Sequence, residues 1–191
     1  MAKYILASAS PRRKQLLEWA ELDFEIVVAN TDESYPQHLS PEEVSIHIAL
    51  EKAKAVKQKV DAGKTIIAAD TIVVLDNEIL GKPKDREDAI SILSKLSGKI
   101  HQVITGVAII GRQEHCFADI TEVEFHELTQ KEIEFYIDKY APFDKAGAYA
   151  IQEWIGVTGI KSINGDFYNV MGLPVSRVLQ SLWEFSPEIM R

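Results

Sequence analysis

Short apolar runs, broken at intervals by polar capping residues, organise this chain from its first residues onward. Lys3 to Ala7 predicts a short buried strand. Ser8-Ala9-Ser10-Pro11 then predicts a helix start, with Ser10 as N-cap and Pro11 at the first helical position. Leu16, Leu17 and Ala20 continue that helix. Phe24 to Val28 reads as a second strand, and a polar loop follows with Asn30, Thr31, Asp32, Glu33 and Ser34. Ser40-Pro41-Glu42-Glu43 is a capping box, and the helix it opens carries Val44, Ile48, Ala49, Ala53, Val56 and Val60 on its apolar face. Thr65 to Leu75 is rich in β-branched residues and predicts a long, largely buried strand. Asp76-Asn77 supplies a hairpin turn before Glu78-Ile79-Leu80.

Further along, Asp85-Arg86-Glu87-Asp88 caps another helix, with Ala89, Ile90, Leu93 and Leu96 inward and Gly98 ending it. His101 to Ile110 and His115 to Phe125 read as two long antiparallel strands joined at Gly111-Arg112. Thr129-Gln130-Lys131-Glu132 is a further capping box, opening a helix to Tyr140. Pro142 to Phe167 reads as loop-rich, and a final helix is expected to follow Pro174 and run to about Trp183. Early alternation of helices and strands with a hairpin in the middle predicts an α/β protein with a mixed sheet. No repeat, low-complexity tract or linker divides the chain, so residues 1–191 are expected to form a single domain.

Composition narrows the class. At 46% hydrophobic and 26% charged residues, the 191-residue chain is neither disordered nor fibrous. No apolar run approaches the roughly 18 residues of a membrane span, and the N-terminal apolar stretch is short for a secretory signal. A single cysteine, Cys116, fits a reducing compartment. The expectation is a soluble cytoplasmic protein that does not act on membranes. Asp and Glu number 29 against 21 Lys and Arg, for a net charge of −8. That balance argues against nucleic-acid binding, which draws on a broad basic surface. It leaves small anionic ligands open, because local charge sets a site.

The informative cations are therefore the clustered ones. Arg12-Arg13-Lys14 follow the Ser10 cap directly, where the helix end already carries partial positive charge. They point either to solvent or to an anion held by guanidinium groups and free N–H donors. Asp70 lies in the apolar run Ile66-Ile67-Ala68-Ala69-Asp70-Thr71-Ile72-Val73-Val74. A carboxylate there needs a hydrogen-bonding or cationic partner, or faces a cleft where it holds a metal or activates water. Lys52 falls within the apolar stripe of its helix, four residues from both Ile48 and Val56, either snorkelling outward or aimed at an anion. Lys82 is presented by Gly81-Lys82-Pro83. Gly63-Lys64-Thr65 imitates the end of a P-loop, but Gln58 stands where the first glycine belongs and a strand follows. The histidines His38, His47, His101, His115 and His126 show no zinc spacing. Nucleophilic catalysis has little support, since no Gly-x-Ser-x-Gly occurs and Cys116 lacks a nearby base.

Taken in order, several motifs resemble one family. Ser8-Ala9-Ser10-Pro11-Arg12-Arg13, Ala69-Asp70-Thr71, Gly81-Lys82-Pro83, Leu96-Ser97-Gly98 with His101, and Thr105-Gly106-Val107 are similar to those of the septum-formation-inhibitor Maf family of nucleoside triphosphate pyrophosphatases. Asp144 to Gln152 and Asn169 to Pro174 extend the resemblance over nearly the whole chain. It implies a mixed sheet flanked by helices in two lobes with an active cleft between them. It also implies hydrolysis of a nucleoside triphosphate to monophosphate and pyrophosphate with a divalent cation, Mg²⁺ or Mn²⁺. By resemblance, Asp70 matches the general base, and Arg13, Thr71 and Gln152 match positions linked to substrate choice. The form Asp144-Lys145-Ala146-Gly147-Ala148-Tyr149 resembles the dTTP/UTP branch. The chain departs from the family pattern at Ala150, where glycine is common, and at Gly165-Asp166-Phe167-Tyr168-Asn169.

Under that resemblance Ser8, Arg12, Arg13, Lys52 and Lys82 would line the triphosphate. Asp70 would take a proton from water or ligate the cation, with Glu33 as a second carboxylate ligand. Gln152 would pair with O4 and N3–H of thymine or uracil, and Thr71 would support the sugar or base. Substrates could include modified nucleotides, and a homodimer is a possible assembly. A different class of function, a nucleotide-binding regulator of cell division that needs no turnover, uses the same residues.

Overall fold

A computed structural model describes residues 3–185. Side-chain caps set most helix starts. Helix α1, Pro11–Trp19, begins at Ser10, whose hydroxyl accepts the Arg13 N–H at 3.4 Å. Helix α2, Pro41–Lys57, opens on the reciprocal Ser40–Glu43 box. Asp85 caps α3, Arg86–Leu96, and Thr129 with Glu132 caps α4, Gln130–Tyr140. Each cap satisfies N–H groups that the helix leaves unpaired at its start.

The strands are β1 (Tyr4–Leu6), β2 (Phe24–Ile26), β3 (Thr65–Leu75), β4 (Glu78–Leu80), β5 (Ile100–Ile110), β6 (Glu114–Phe125) and β7 (Ile160–Asn164). They form one seven-stranded mixed sheet in the order β2-β1-β3-β5-β6-β7, with β4 paired to β3. Strand β1 runs parallel to both β2 and β3. Strand β4 returns antiparallel through Asp76 and Asn77, both at positive φ (51° and 65°), as the two-residue hairpin requires. The short connection 111–113 joins neighbours β5 and β6, which only an antiparallel pair permits.

Three further helices, α5 (Trp154–Gly159), α6 (Phe167–Met171) and α7 (Val175–Phe185), complete the fold. The expected α/β class with a mixed sheet is the observed one. The loop-rich stretch 142–167 also holds a 3-10 turn at Ala146–Ala148, then α5 and β7. Two glycines and β-branched residues give α5 weak intrinsic helix propensity, so only tertiary packing reveals it. Strand β7 pairs antiparallel with β6, Val123 opposite Ile163. On α3, Ile92 is buried and Ile90 only half-buried. The second strand ends at Ile26, two residues earlier than Val28, at the edge of the sheet.

The chain divides into two compact units, and the division cuts β3 after Asp70, β5 after Ile104 and β6 after Asp119. Of the described residues, unit 1 holds 3–70, 105–119 and 172–185. Its core packs Ala49, Ala53 and Val56 of α2 against Ile5, Ile66, Ala68, Ala108 and Ile110 of the strands. Gly106 lets α2 descend onto β5: a Cβ there would lie 2.2 Å from the Ser45 carbonyl carbon and 2.3 Å from Ile46 N. Unit 2 holds residues 71–104 and 120–171. There the Arg86 guanidinium grips Asp138 with two bonds of 2.7 and 3.0 Å, tying α3 to α4. His101, Phe125 and Tyr149 cluster, and His101 Nε2 lies 2.8 Å from the Tyr149 hydroxyl. Among the described residues, no helix is long and apolar enough to cross a membrane.

Two stability predictions follow from this packing. Gly106→Ala should lower unfolding stability by about 1–3 kcal/mol in urea titration, because backbone must give way. Gly81→Ala, with open space around the added carbon, should change it by less than about 0.5 kcal/mol. Burial lowers the His101 pKa to about 4, from about 6.5 in the unfolded chain. The unfolded state therefore binds the extra proton between those values, and stability present above pH 6.5 is lost as the pH falls toward 4. Urea titrations across that range should show a loss of roughly 3 kcal/mol from this group, absent in His101→Gln.

Candidate active site

Asp70 occupies the one half-buried stretch of β3, where Asp70 and Thr71 interrupt buried residues on both sides. Lys52 reaches it from α2. Lys52 stands one turn from buried Ile48 and Val56 on that helix, and its Nζ lies 2.6 Å from Asp70 Oδ1 and 2.8 Å from Glu33 Oε1. The Lys52 and Asp70 side chains are 17% and 13% exposed and Glu33 is 46% exposed, so the cluster opens to water at the Glu33 side. One ammonium thus carries two carboxylates, with donors enough for both. Its position depends on α2 lying close to the sheet, which the small residues Ala49, Ala53 and Gly106 permit.

Arg13 lies in the first turn of α1, but its side chain does not extend into solvent. Nη1 donates to Ser8 Oγ at 3.2 Å and Nε to the Gly172 carbonyl at 2.8 Å. Ser8 is buried, and its hydroxyl also accepts the Ser10 N–H. Burial lowers the Arg13 pKa, Asp70 and Glu33 pull it back up, and Arg12 adds to the lowering. A guanidinium remains charged under such a shift, so Arg13 is a fixed cation within the field of both carboxylates. Of its neighbours, Arg12 is half-buried, whereas exposed Lys14 pairs with Glu18 one turn on. The basic triplet is therefore not uniform: Lys14 belongs to the helix surface.

In unit 2, Thr71 follows Asp70 on β3, and strand alternation turns it to the opposite face. Lys82 is exposed on a loop held by the Gly147 N–H, which donates to the Gly81 carbonyl at 3.1 Å, and by buried Pro83. Gly147 has φ of 67°, and a Cβ there would lie 2.8 Å from Val73 Cγ2. Strand β3, the Lys82 loop and the 146–148 turn thus meet at a glycine. Gln152 is exposed in a turn closed by the Glu153 N–H on the Ala150 carbonyl at 3.1 Å.

The structure gathers Ser8, Arg13, Glu33, Lys52 and Asp70 in unit 1; Thr71, Lys82 and Gln152 belong to unit 2. Reading residue types missed the Gly172 carbonyl, since a backbone acceptor has no side-chain signature. It also passed over the partners behind Gln152. Lys145, buried among alanines, glycine and an aromatic, was their available signal. Among the described residues, no group of three or more His, Cys, Asp or Glu is placed to hold a metal. Asp70 and Glu33 nonetheless converge on one cationic group and offer the hard oxygen donors that a divalent ion prefers.

A mixed α/β sheet carrying a carboxylate–ammonium–carboxylate cluster beside an anchored arginine suits a phosphate-handling protein. The chain belongs to the family described as Maf-like protein, which matches residues 3–185. The dTTP/UTP pyrophosphatase of Cytophaga hutchinsonii is 52% identical over 187 residues, covering 97% of this chain and 85% of that protein. That of Bacteroides thetaiotaomicron is 48% identical, with 93% of each chain covered. That of Bacillus cereus is 45% identical over 99% of this chain and 98% of its own. Among solved structures, the Staphylococcus aureus Ham1 protein superposes with a TM-score of 0.54 over 95% of this chain and 98% of that one. At 16% identity this likeness speaks for the fold alone.

Lys52→Met should leave the mostly buried Asp70 carboxylate without its cation and cost about 1–2 kcal/mol in urea unfolding at pH 7. Adding Asp70→Asn should restore more than half of that loss, because the uncompensated charge disappears with it.

Proposed function

We propose that this chain is a nucleotide pyrophosphatase that hydrolyses dTTP and UTP to the monophosphate and pyrophosphate. The observation that carries the reading is the Asp70 carboxylate, held by Lys52 beside Glu33 within reach of water. The names of relatives at 45–52% identity support the substrate class. A cytoplasmic setting belongs to the same proposal, supported by a single cysteine and by the location of triphosphate pools.

The chemistry assigns each group a task. Water adds through its oxygen to the α-phosphorus, the bridging P–O bond to the β-phosphate breaks, and pyrophosphate departs with the bonding electrons. Charge grows on the bridging oxygen, so catalysis gains most from cations held in place beforehand. Arg13, fixed by Ser8 and Gly172, is such a cation; Arg12 and Lys82 add charge along the phosphates. The Lys52 ammonium occupies Asp70 Oδ1 in the resting cluster. Arrival of the polyanion competes for Lys52, drawing the ammonium toward phosphate oxygens and freeing an Asp70 oxygen to take the proton from water. Asp70 and Glu33 would hold a Mg²⁺ or Mn²⁺ ion, which when bound neutralises phosphate charge.

Gln152 reads the base, its amide donating to O4 and accepting from N3–H of thymine or uracil. Both bases share that edge, so one amide serves both nucleotides. Thr71 supports the sugar or base.

Chromatography of products from a panel of triphosphates with Mg²⁺ or Mn²⁺ tests the reading, with modified nucleotides included. Monophosphate plus pyrophosphate from dTTP and UTP is expected. Diphosphate plus orthophosphate, or inactivity across the panel, refutes it. Asp70→Asn should lower kcat by about 10²–10⁴-fold while equilibrium nucleotide binding persists.

A further inference from the structure

Gln152 has a long, exposed side chain with several free torsions, so its selectivity depends on how firmly its backbone is held. The turn that presents it, Ala150 to Glu153, is fastened at both ends by one buried hydroxyl. Tyr136 on α4 accepts the Ala150 N–H at 3.1 Å and donates to Glu153 Oε2. Tyr136 is wholly buried and Ala150 nearly so, leaving that N–H no access to water as a substitute partner. The other Glu153 oxygen, Oε1, lies 3.5 Å from Lys145 Nζ, whose ammonium also bonds Asp144 at 2.7 Å. A further contact braces the middle of the turn: a Cβ at Gly156 would sit 1.7 Å from the Ile151 carbonyl oxygen.

We infer that Tyr136, with Glu153 as its partner and Lys145 behind it, is a positioning residue for base selectivity, holding the turn that presents Gln152. Three independent contacts converge on four consecutive residues whose only exposed member is Gln152 and whose last is half-buried. A turn needed only to link two elements has no use for a buried phenol bonded at both of its ends. Tyr136 touches the turn and not the nucleotide, so its loss acts on which base is accepted more than on bond cleavage. The inference rests on the nucleotide pyrophosphatase reading, with Gln152 as the base-contacting residue.

Cytosine and uracil present opposite donor and acceptor patterns at the ring positions that an amide would meet, which makes CTP the discriminating competitor. In the full chain, Tyr136→Phe keeps the ring and deletes the hydroxyl. Steady-state kinetics should show KM for UTP raised about three- to tenfold with kcat within about twofold, and the preference for UTP over CTP lowered about fivefold. If that variant does not fold by circular dichroism, Glu153→Ala and Glu153→Gln carry the comparison. Glu153→Ala should lower the preference, and Glu153→Gln, which keeps an oxygen acceptor for Tyr136, should restore most of it. An unchanged UTP preference in folded variants, or a fall in kcat for all nucleotides at constant preference, overturns the positioning role alone. A wild-type protein that hydrolyses no triphosphate overturns the pyrophosphatase reading and this inference with it.

Discussion

One ammonium group keeps two carboxylates in place that would otherwise repel each other. Lys52 bridges Asp70 on a central strand and Glu33 on a polar loop, and Arg13 lies within the field of both acids. Lys52 carries its ammonium at the end of a four-carbon stem, whereas the Arg13 guanidinium is anchored by Ser8 and the Gly172 carbonyl. Under the proposed function, an incoming polyanion would draw on the Lys52 ammonium and leave Arg13 in place.

The two compact units treat their functional residues differently. In unit 1 the residues are charged and anchor one another, so removing any one leaves another charge without its counterpart. In unit 2, Lys82 and Gln152 are exposed side chains on backbone held from behind. Gly147 ties the Lys82 loop, and Tyr136 and Glu153 hold the Gln152 turn. The two groups of candidate residues are thus held by different physics, electrostatic balance in one case and backbone rigidity in the other.

Much of the frame was legible from spacing and residue type. Ser10, Ser40, Asp85 and Thr129 announce helix starts because side-chain caps are local chemistry, and β3 has the boundaries that its β-branched run suggests. Asp70 and Lys52 were legible as charges inside apolar patterns that each call for a partner, and only the fold discloses that they partner each other. Glu33 stood in a polar loop where an acid is unremarkable, so only the fold discloses its bond to Lys52. Within the loop-rich segment 142–167, α5 and β7 went unread because α5 is short and glycine-containing and β7 depends on pairing with β6. Neither carries enough local preference to declare itself.

Backbone meets backbone where α2 crosses β5 at Gly106. Elsewhere in a protein interior, side chains form a compliant layer whose shape can be renegotiated by later substitutions. At this crossing the layer is missing, so the helix can neither rise to admit a larger residue nor settle to fill a smaller one. Room for larger side chains on α2 is thereby confined to its outward face, where exposed Lys54 and Lys57 stand, while the face bearing Lys52 keeps a fixed height above the sheet.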